Sequence, residues 1–291
     1  MSLIGTLTSG VSALRSFGKG LEVIGNNIAN VNTTGYKSSQ ASFAESFSNT
    51  LRGSAPSNGT SSSQSGVQVG TGVDLAAITS NFSQGALTTT GNSTDLGISG
   101  EGFFIVKDAT SGTEFATRDG SFRFDDNGYL VNQSGFRVQG LVGGSSSTPL
   151  GTTVGDIQIG QSLPASTQLQ SVSIDKQGNV VEFYSDGTSA TTNRVQLQAF
   201  NDTSVLMHEG SNLYSGLIAA GAVGGGVLAG NNDPGGNGLG SVLSGTLEQS
   251  NVDLTQQFSD LITVQRSFQA GSRLITVSDT VLDDIVNLKR S

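Results

Sequence analysis

The sequence predicts an α+β fold that is mainly β, with N- and C-terminal α-helices that pair as a coiled-coil-like unit. A central all-β domain is joined to these helices by extended arms. Three observations lead to this prediction. Apolar residues recur every seven positions near both termini. Short alternating runs separated by turn residues fill the middle of the chain. Stretches rich in Gly and Ser lie between the helices and these runs.

The first helix is predicted over residues 3–31. Two interleaved series with seven-residue spacing run along it: Leu7, Leu14, Leu21 and Ile28, and Phe17, Ile24 and Val31. Five glycines interrupt it, and each should weaken the helix by about 1 kcal/mol relative to Ala. We therefore expect this helix to need a partner surface, which the small residues would allow to approach closely.

The second helix is predicted at the C-terminus. Its seven-residue series consists of Leu254, Leu261, Phe268, Ile275 and Leu282, and it is flanked by Leu274, Val281 and Leu288. Ser250 or Asn251 is the predicted N-cap, and Asp253 lies near the positive end of the helix dipole. Lys289 and Arg290 would complement the negative end of the dipole.

The middle of the chain changes character. Residues 52–66 are rich in Ser and Gly and predict a linker, whereas residues 67–215 carry short strands. The sequences "DNG" at 126–128 and "KQG" at 176–178 predict hairpins with type I′ turns. Residues 219–244 are dense in Gly and predict an arm that returns the chain to the second helix.

These patterns give five predicted segments. They are an N-terminal helix at 1–34, an extended arm at 35–72, a central β domain at 73–218, a Gly-rich return arm at 219–246, and a C-terminal helix at 247–291.

Composition excludes several classes of protein. The 291 residues include 41 Gly but only 13% charged residues, which favours an extended or assembled molecule over a dense enzyme. The formal net charge is -9 and no Lys/Arg cluster occurs, which argues against nucleic-acid binding. Cysteine is absent, so we expect no disulfides. The N-terminus lacks the basic region of a Sec signal, and the longest apolar runs are too short to span a membrane.

The sequence carries no enzyme signature, so we predict no catalytic, cofactor-binding or metal site. His208 is the single histidine and has no partner in the sequence pattern. The stretch "NNDPGGNG" at 231–238 lacks the ligand spacing of a calcium loop and predicts a turn. The acidic pair at 125–126 is expected in a hairpin turn and the pair at 283–284 on a charged helix face.

The apolar series could face the core of their own domain, as most amphipathic stripes do. Their position at the chain ends, separated by polar arms, favours packing between molecules. "VIGNNIANVNTTGYK" at 23–37 adds asparagines that could bond to adjacent helices where the first helix meets its arm. The predicted assembly residues are Leu7, Leu14, Leu21, Ile24, Asn27, Ile28, Asn30, Val31, Leu254, Leu261, Phe268, Ile275 and Leu282.

Several motifs resemble those of the axial proteins of the bacterial flagellum, the rod and hook group. "NNIANVNTTGYK" resembles the N-terminal signature of that family, and "DLGISGEGFFIV" and "TRDGSFRFDDNGYLV" resemble its β-domain core. The segment from "LEQSNVDL" to "DDIVNLKR" resembles its C-terminal helix. The resemblance covers residues 1 to about 140 and 195 to 291.

The resemblance implies a structural subunit that polymerises into a helical tube. "GFRVQGL" and the C-terminal helix favour the hook, a flexible joint that transmits torque between rod and filament. The alternatives are a distal rod protein of the basal body, a binding module or enzyme on the β domain, and a soluble cap or chaperone-like partner. The implied partners are further copies of the chain, rod and hook–filament junction proteins, the type III export apparatus and the hook cap. The implied location is the flagellar hook or basal body, reached without a cleaved signal peptide.

Overall fold

The computed structural model describes residues 3–54, 56, 63–144, 151, 153–160, 168–224, 226–228 and 232–288. The chain forms two compact units. Unit 1 contains Met1–Ala29, Ser38–Asn81 and Val252–Ser291, and unit 2 contains Asn30–Lys37 and Phe82–Asn251. Helix makes up 24% of the described residues and strand 37%, and helices flank the β-rich middle. The predicted fold class is therefore confirmed.

Unit 1 is built from two long helices and a β ribbon. Its elements are α1 (Leu3–Ala29), β1 (Ser39–Glu45), β2 (Ser48–Arg52), β3 (Val67–Gly70), β4 (Val73–Ser80) and α2 (Leu254–Leu288). The helices run antiparallel. Thr6 near the start of α1 contacts Ser278 near the end of α2, and Asn27 near the end of α1 contacts Gln257 near the start of α2.

The β ribbon of unit 1 occupies the region predicted as an extended arm. β1 pairs antiparallel with β4, and β2 pairs antiparallel with β3. Backbone bonds from Ser46 to Gly72 and from Thr71 to Phe47 join the two pairs. Of the linker predicted at 52–66, residues 55 and 57–62 lie outside the described residues. β4, expected in the central β domain, belongs instead to unit 1 because its partner strand is β1.

Unit 2 holds the remaining strands. They are β5 (Leu87–Thr89), β6 (Leu96–Ser99), β7 (Phe103–Lys107), β8 (Glu114–Thr117), β9 (Arg123–Phe124), β10 (Leu130–Val131), β11 (Arg137–Val142), β12 (Thr153–Asp156), β13 (Leu169–Ile174), β14 (Asn179–Tyr184), β15 (Ser189–Val195), β16 (Leu197–Gln198), β17 (Met207–Gly210), β18 (Leu213–Ser215), β19 (Ser241–Ser244) and β20 (Thr246–Glu248). A short 3₁₀ helix spans Thr203–Val205.

One antiparallel sheet organises unit 2. Its main path runs β13-β14-β15-β11-β7-β8-β18-β17, with β9, β10, β12 and β16 attached beside it. β19 pairs with β6 and β20 with β5, so segments far apart in sequence close the unit. β19 comes from the predicted return arm. β20 includes Leu247 and Glu248, which belong to the predicted C-terminal helix, and that assignment is wrong because these residues pair with β5.

β7 explains why the unit has two apolar clusters. Its sequence is a continuous apolar run, which is typical of a strand covered on both faces. Phe104 and Val106 point into one cluster with Leu96 and Leu130. Phe103 and Ile105 point into the other. Alternation along a single strand thus places side chains in both cores.

The two predicted hairpin turns exist, but their type differs from the prediction. In the first, Gly128 N–H donates to Asp125 O and Asp125 N–H donates to Tyr129 O, and Gly128 has φ +81°. Asp175, Gly178 and Asn179 repeat this pattern. This is a three-residue loop that ends in a left-handed glycine, not a two-residue type I′ turn. The aspartate decides the type, because Asp125 Oδ1 accepts the N–H groups of Asn127 and Tyr129.

The Gly-rich segment at 219–246 is packed rather than extended where it is described. Leu239 and Val242 are buried, and β19 lies within it. Gly240 is needed here because an added Cβ would lie 2.5 Å from Ser99 O. Glycine at such a position permits close contact between two backbones. The Gly-rich composition alone had instead indicated a flexible arm. Residues 225 and 229–231 of this segment lie outside the described residues.

Both helix ends depart slightly from the prediction. α1 ends at Ala29, and Asn30 begins a turn in which Thr33 N–H donates to Asn30 O. At α2 the predicted cap at Ser250 or Asn251 is wrong. Asp253 caps the helix, since its Oδ1 accepts the N–H groups of Thr255 and Gln256. The predicted contribution of Lys289 and Arg290 falls outside the described residues.

Candidate assembly surface

Small residues line the seam between α1 and α2. A Cβ atom added at Gly10 would lie 3.0 Å from Ile275 Cγ1, and one added at Gly271 would lie 3.5 Å from Ala13 Cβ. The two backbones are therefore close at this level. The close packing of the two helices compensates for the poor helix propensity of glycine. The sequence predicted this role for the small residues of α1.

The leucine series of α1 borders this seam. Leu7, Leu14, Leu21 and Ile28 are half-buried, whereas Ile24 is buried. Leu14 reaches the seam, because its Cδ2 atom would lie 3.6 Å from a Cβ added at Gly271. The seven-residue periodicity of large apolar residues predicted the helix. The positions where α1 and α2 approach most closely are occupied by small residues.

Asn27 is the most buried of the predicted assembly residues in α1. Its Nδ2 donates to Ser39 O at 2.7 Å and to Gln257 Oε1 at 2.9 Å, and its Oδ1 accepts from Ser39 N at 2.9 Å. These bonds join α1, β1 and α2 within one subunit. The adjacent helix that the sequence analysis anticipated for this asparagine is thus α2 of the same chain.

Asn30 and Val31 lie beyond the end of α1 and belong to unit 2. Asn30 Oδ1 accepts a hydrogen bond from Thr33 Oγ1, so it shapes the turn that follows the helix. The helical series from Phe17 to Val31 therefore stops at Ile24. The Asn and Thr residues end the helix because their side chains compete for backbone groups.

The members of the α2 series differ in exposure along the helix. Leu261, Phe268 and Ile275 are half-buried, whereas Leu254 and Leu282 are exposed. A second group of apolar residues on α2 is exposed along its C-terminal half. We call it the α2 stripe, and it consists of Leu274, Val277, Val281, Ile285 and Leu288. Three of its members flank the predicted series in sequence, but the series itself did not indicate that the stripe would face solvent.

Unit 2 contains a buried charge cluster that the sequence patterns did not predict. Lys37 Nζ lies 2.7 Å from Glu248 Oε1, and Arg118 Nη1 lies 3.4 Å from Glu248 Oε2. Lys37 and Glu248 are fully buried side chains. Burial lowers the pKa of Lys37, and its hydrogen bond to Glu248 opposes this effect. Burial also lowers the pKa of Arg118, against the attraction of Glu248.

The charge cluster lies where the chain passes between the units. Unit 2 ends one segment at Lys37, begins the next at Phe82 and ends it at Asn251. Lys37 Nζ donates to Ser83 O, and Asn251 Nδ2 donates to the same oxygen. Three of the four segment ends of unit 2 are therefore tied together inside this unit, and we call Lys37, Ser83 and Asn251, with Glu248 and Arg118, the junction cluster.

The segment "TTGYK", residues 33–37, is the second half of the N-terminal motif, and its contacts lie in unit 2. Gly35 has φ +67°, and an added Cβ would lie 2.5 Å from Asp119 N, so only glycine fits. Gly35 N–H donates to Glu248 O, and Thr34 Oγ1 donates to Asp119 Oδ1. The motif therefore ends a helix of unit 1 and then docks its last residues into unit 2.

His208 lies on β17 with its ring centroid 4.5 Å from that of Tyr214. His208 is exposed as a whole residue, and partial desolvation of its ring lowers its pKa. Across the described residues, no group of three or more His, Cys, Asp or Glu side chains is placed to hold a metal ion. In the same part of the chain, no helix has the length and apolar character needed to cross a membrane.

Three protein-family models match parts of the chain. Residues 7–37 match the flagella basal body rod protein, and residues 97–182 match the flagellar hook protein FlgE/F/G D1 domain. Residues 243–288 match the flagellar basal body rod FlgEFG protein C-terminal region. The chain is also similar to the flagellar basal-body rod protein FlgG of Bacillus subtilis, at 36% identity over 288 residues, covering 99% of this chain and 100% of the relative.

The chain belongs to the flagellar rod and hook protein family. A second relative, FlgG of Borreliella burgdorferi, is 30% identical over 292 residues and covers 100% of this chain and 99% of its own length. The flagellar hook protein FlgE of Helicobacter mustelae is 46% identical over 139 residues, which are 47% of this chain and 31% of that protein. The predicted family is confirmed.

Membership of the rod and hook family bears on the predicted structural role, location and polymerisation. The family is structural and not enzymatic, as the sequence analysis expected. Its location is the flagellum. Its members polymerise and associate with other flagellar components. The relatives that align along their full length are named rod proteins, so the comparisons do not favour the predicted hook over the rod.

Proposed function

We propose that this chain is a rod-type axial subunit that polymerises into a helical tube in the flagellar basal body. The observation that carries the proposal is the end-to-end correspondence with rod proteins, which extends over 100% of the Bacillus subtilis relative. The hook relative is matched over only 31% of its length. A shared length and order of segments supports a shared assembly role more than a high identity over part of the chain does.

Unit 1 supplies the physical basis for polymerisation. The α2 stripe leaves five large apolar side chains exposed, among them Val277 at 60% and Leu288 at 75%. Complete burial of a Val or Leu side chain contributes roughly 1.5–3 kcal/mol. A contiguous exposed stripe of this kind marks an interaction surface, and covering it with neighbouring copies would stabilise a polymer.

The predicted assembly residues keep a place in this proposal, with a divided role. Leu7, Leu14, Leu21, Leu261, Phe268 and Ile275 support the helix pair, and Leu254 and Leu282 extend the exposed surface. Passage through the type III export apparatus without a cleaved signal peptide, and contacts with rod, junction and hook-cap proteins, remain part of the proposal. Helices that are marginal alone would fold when neighbours cover them.

A hook subunit is the second candidate. The 46% identity over 139 residues to a hook protein favours it, because this value exceeds the identity to either rod relative described above. The two candidates differ in the polymer that they predict. A rod subunit should form straight, rigid tubes, whereas a hook subunit should form curved and polymorphic ones.

The test is electron microscopy and sedimentation of the concentrated full-length protein. We expect straight tubes, and curved tubes would instead select the hook. The double variant Val277→Asp/Val281→Asp should remain monomeric with an unchanged unit 2. Its control is Thr276→Asp/Thr280→Asp, which adds the same charge at exposed positions of α2 outside the stripe. Loss of polymer in both variants, or in neither, would contradict the role of the stripe.

A further inference from the structure

Unit 1 carries a second apolar surface besides the α2 stripe. A groove of about 470 Å³ lies between one face of α1 and the ribbon. Its lining includes Leu7, Val11 and Val73, with Arg15 and Asp74 as the charged members. The groove is concave and contains aliphatic side chains, and its volume is in the range of sites that receive a few buried side chains.

Among the described residues, no helix runs alongside the end of α2. Thr6 of α1 contacts Ser278 of α2, and α1 begins at Leu3, whereas α2 continues to Leu288. Because the helices are antiparallel, the last turns of α2 extend past the described start of α1. Every residue from Val281 to Leu288 is exposed. These turns therefore present apolar side chains that the described part of α1 does not cover.

We propose that the groove beside α1 binds the exposed C-terminal turns of α2 from a second copy of this chain. This inference rests on the proposed function and names the surfaces that would join neighbouring subunits. The two surfaces are different patches of one molecule. A contact between unlike patches does not close on itself, so it propagates into an open helical polymer.

Charge supports this choice of occupant. Asp284 lies on the exposed end of α2, on the same side of the helix as the stripe residues Val277 and Val281. Arg15 lines the groove. Insertion of the stripe would bring Asp284 to this arginine at the edge of an apolar contact. Opposite charges in that position favour the correct register and oppose pairing of two like ends.

The absence of cysteine from the chain permits a direct test by cross-linking. Full-length Val11→Cys and Ile285→Cys proteins are mixed under polymerising conditions and treated with a short bismaleimide. We expect a cross-linked species that contains one molecule of each variant. The matched control replaces Val11→Cys by Glu22→Cys, an exposed position of α1 outside the groove, and should give at most a tenth of that yield.

Charge reversal provides the second measurement. Arg15→Glu should raise the concentration needed for polymerisation roughly tenfold, a change worth about 1.4 kcal/mol. Combining it with Asp284→Arg should restore most of the loss. The control Arg266→Glu reverses an exposed charge of α2 distant in sequence from the stripe and should change the concentration less than twofold.

The outcomes separate this inference from the proposed function. Tubes that form without a Val11–Ile285 cross-link, or with equal cross-linking in the control, would overturn the groove as the docking site and leave the tube intact. Failure of the wild-type chain to polymerise under any condition would overturn the proposed function and, with it, the inference. Cross-linking that is restored together with polymer by the charge-swapped variant would support both.

Discussion

Lys37 and Glu248 form an ion pair of 2.7 Å inside unit 2, although 211 positions separate them in the sequence. Glu248 also faces Arg118 at 3.4 Å, so one carboxylate serves two cations. The pair lies next to the points where the chain passes between the units, after Lys37 and after Asn251. It therefore links the segment of unit 2 that ends at Lys37 to the segment that ends at Asn251. Glu248 is the carboxylate that balances the buried cations of the junction cluster.

Glu248→Gln should destabilise unit 2 more than Lys37→Met. The first change leaves Lys37 and Arg118 buried without a counter-charge, which costs about 3–5 kcal/mol. The second leaves a balanced pair of Arg118 and Glu248. Urea midpoints followed by far-UV circular dichroism measure the difference. Lys19→Met, at an exposed lysine, is the control and should shift stability by less than about 0.5 kcal/mol. An equal or larger effect of Lys37→Met would contradict this account.

Asn27→Leu should lower the stability of the subunit itself. The substitution removes three hydrogen bonds and leaves the backbone N–H and C=O of Ser39 unpaired in a partly buried place. Each unsatisfied group costs roughly 1–3 kcal/mol. Thermal unfolding of dilute protein measures the loss, and Glu22→Leu, at an exposed position of the same helix, should change the melting temperature little. A stable monomer that only fails to polymerise would instead support a direct contact of Asn27 with another molecule.

Gly10→Leu and Gly18→Leu should have opposite effects on unit 1. A Cβ at Gly10 already approaches Ile275 to 3.0 Å, whereas nothing lies within 4 Å of a Cβ at Gly18. A leucine at position 10 would separate the helices, and one at position 18 should gain about 0.8–1 kcal/mol of helix propensity. Urea unfolding of dilute protein compares them, and similar losses at both positions would argue against the close crossing.

The stability of unit 2 should fall slightly with acid because of His208. Partial desolvation of this exposed residue lowers its pKa below 6.5 in the folded state, so the unfolded chain binds the proton first as pH decreases. The contribution of the neutral ring is present above pH 6.5 and is lost as pH falls through the lower folded pKa. Since His208 is the only histidine, His208→Gln should flatten the pH dependence of the urea midpoint just below pH 6.5. An unchanged slope would exclude this cause.

The signature around Asn27 shows how much of the candidate site sequence could predict. Its apolar spacing indicated a helix, and its Asn and Thr residues indicated where that helix ends, because both signals are local. Its hydrogen-bond partners were not predictable, since Ser39 follows a turn and Gln257 lies 230 positions away. The same holds for the seam, where a close approach of α2 gives Gly10 its role.

The sequence by itself determined the helix at each end, the alternating strands between them and the positions of the hairpin turns. These features depend on periodicity and backbone preference within a few residues. Only the tertiary structure decided that Val73–Ser80 joins the ribbon of unit 1, that the Gly-rich segment is packed, and that Lys37 meets Glu248. Those outcomes depend on which distant surface covers each segment, and burial against a distant partner leaves no periodic signal in the chain.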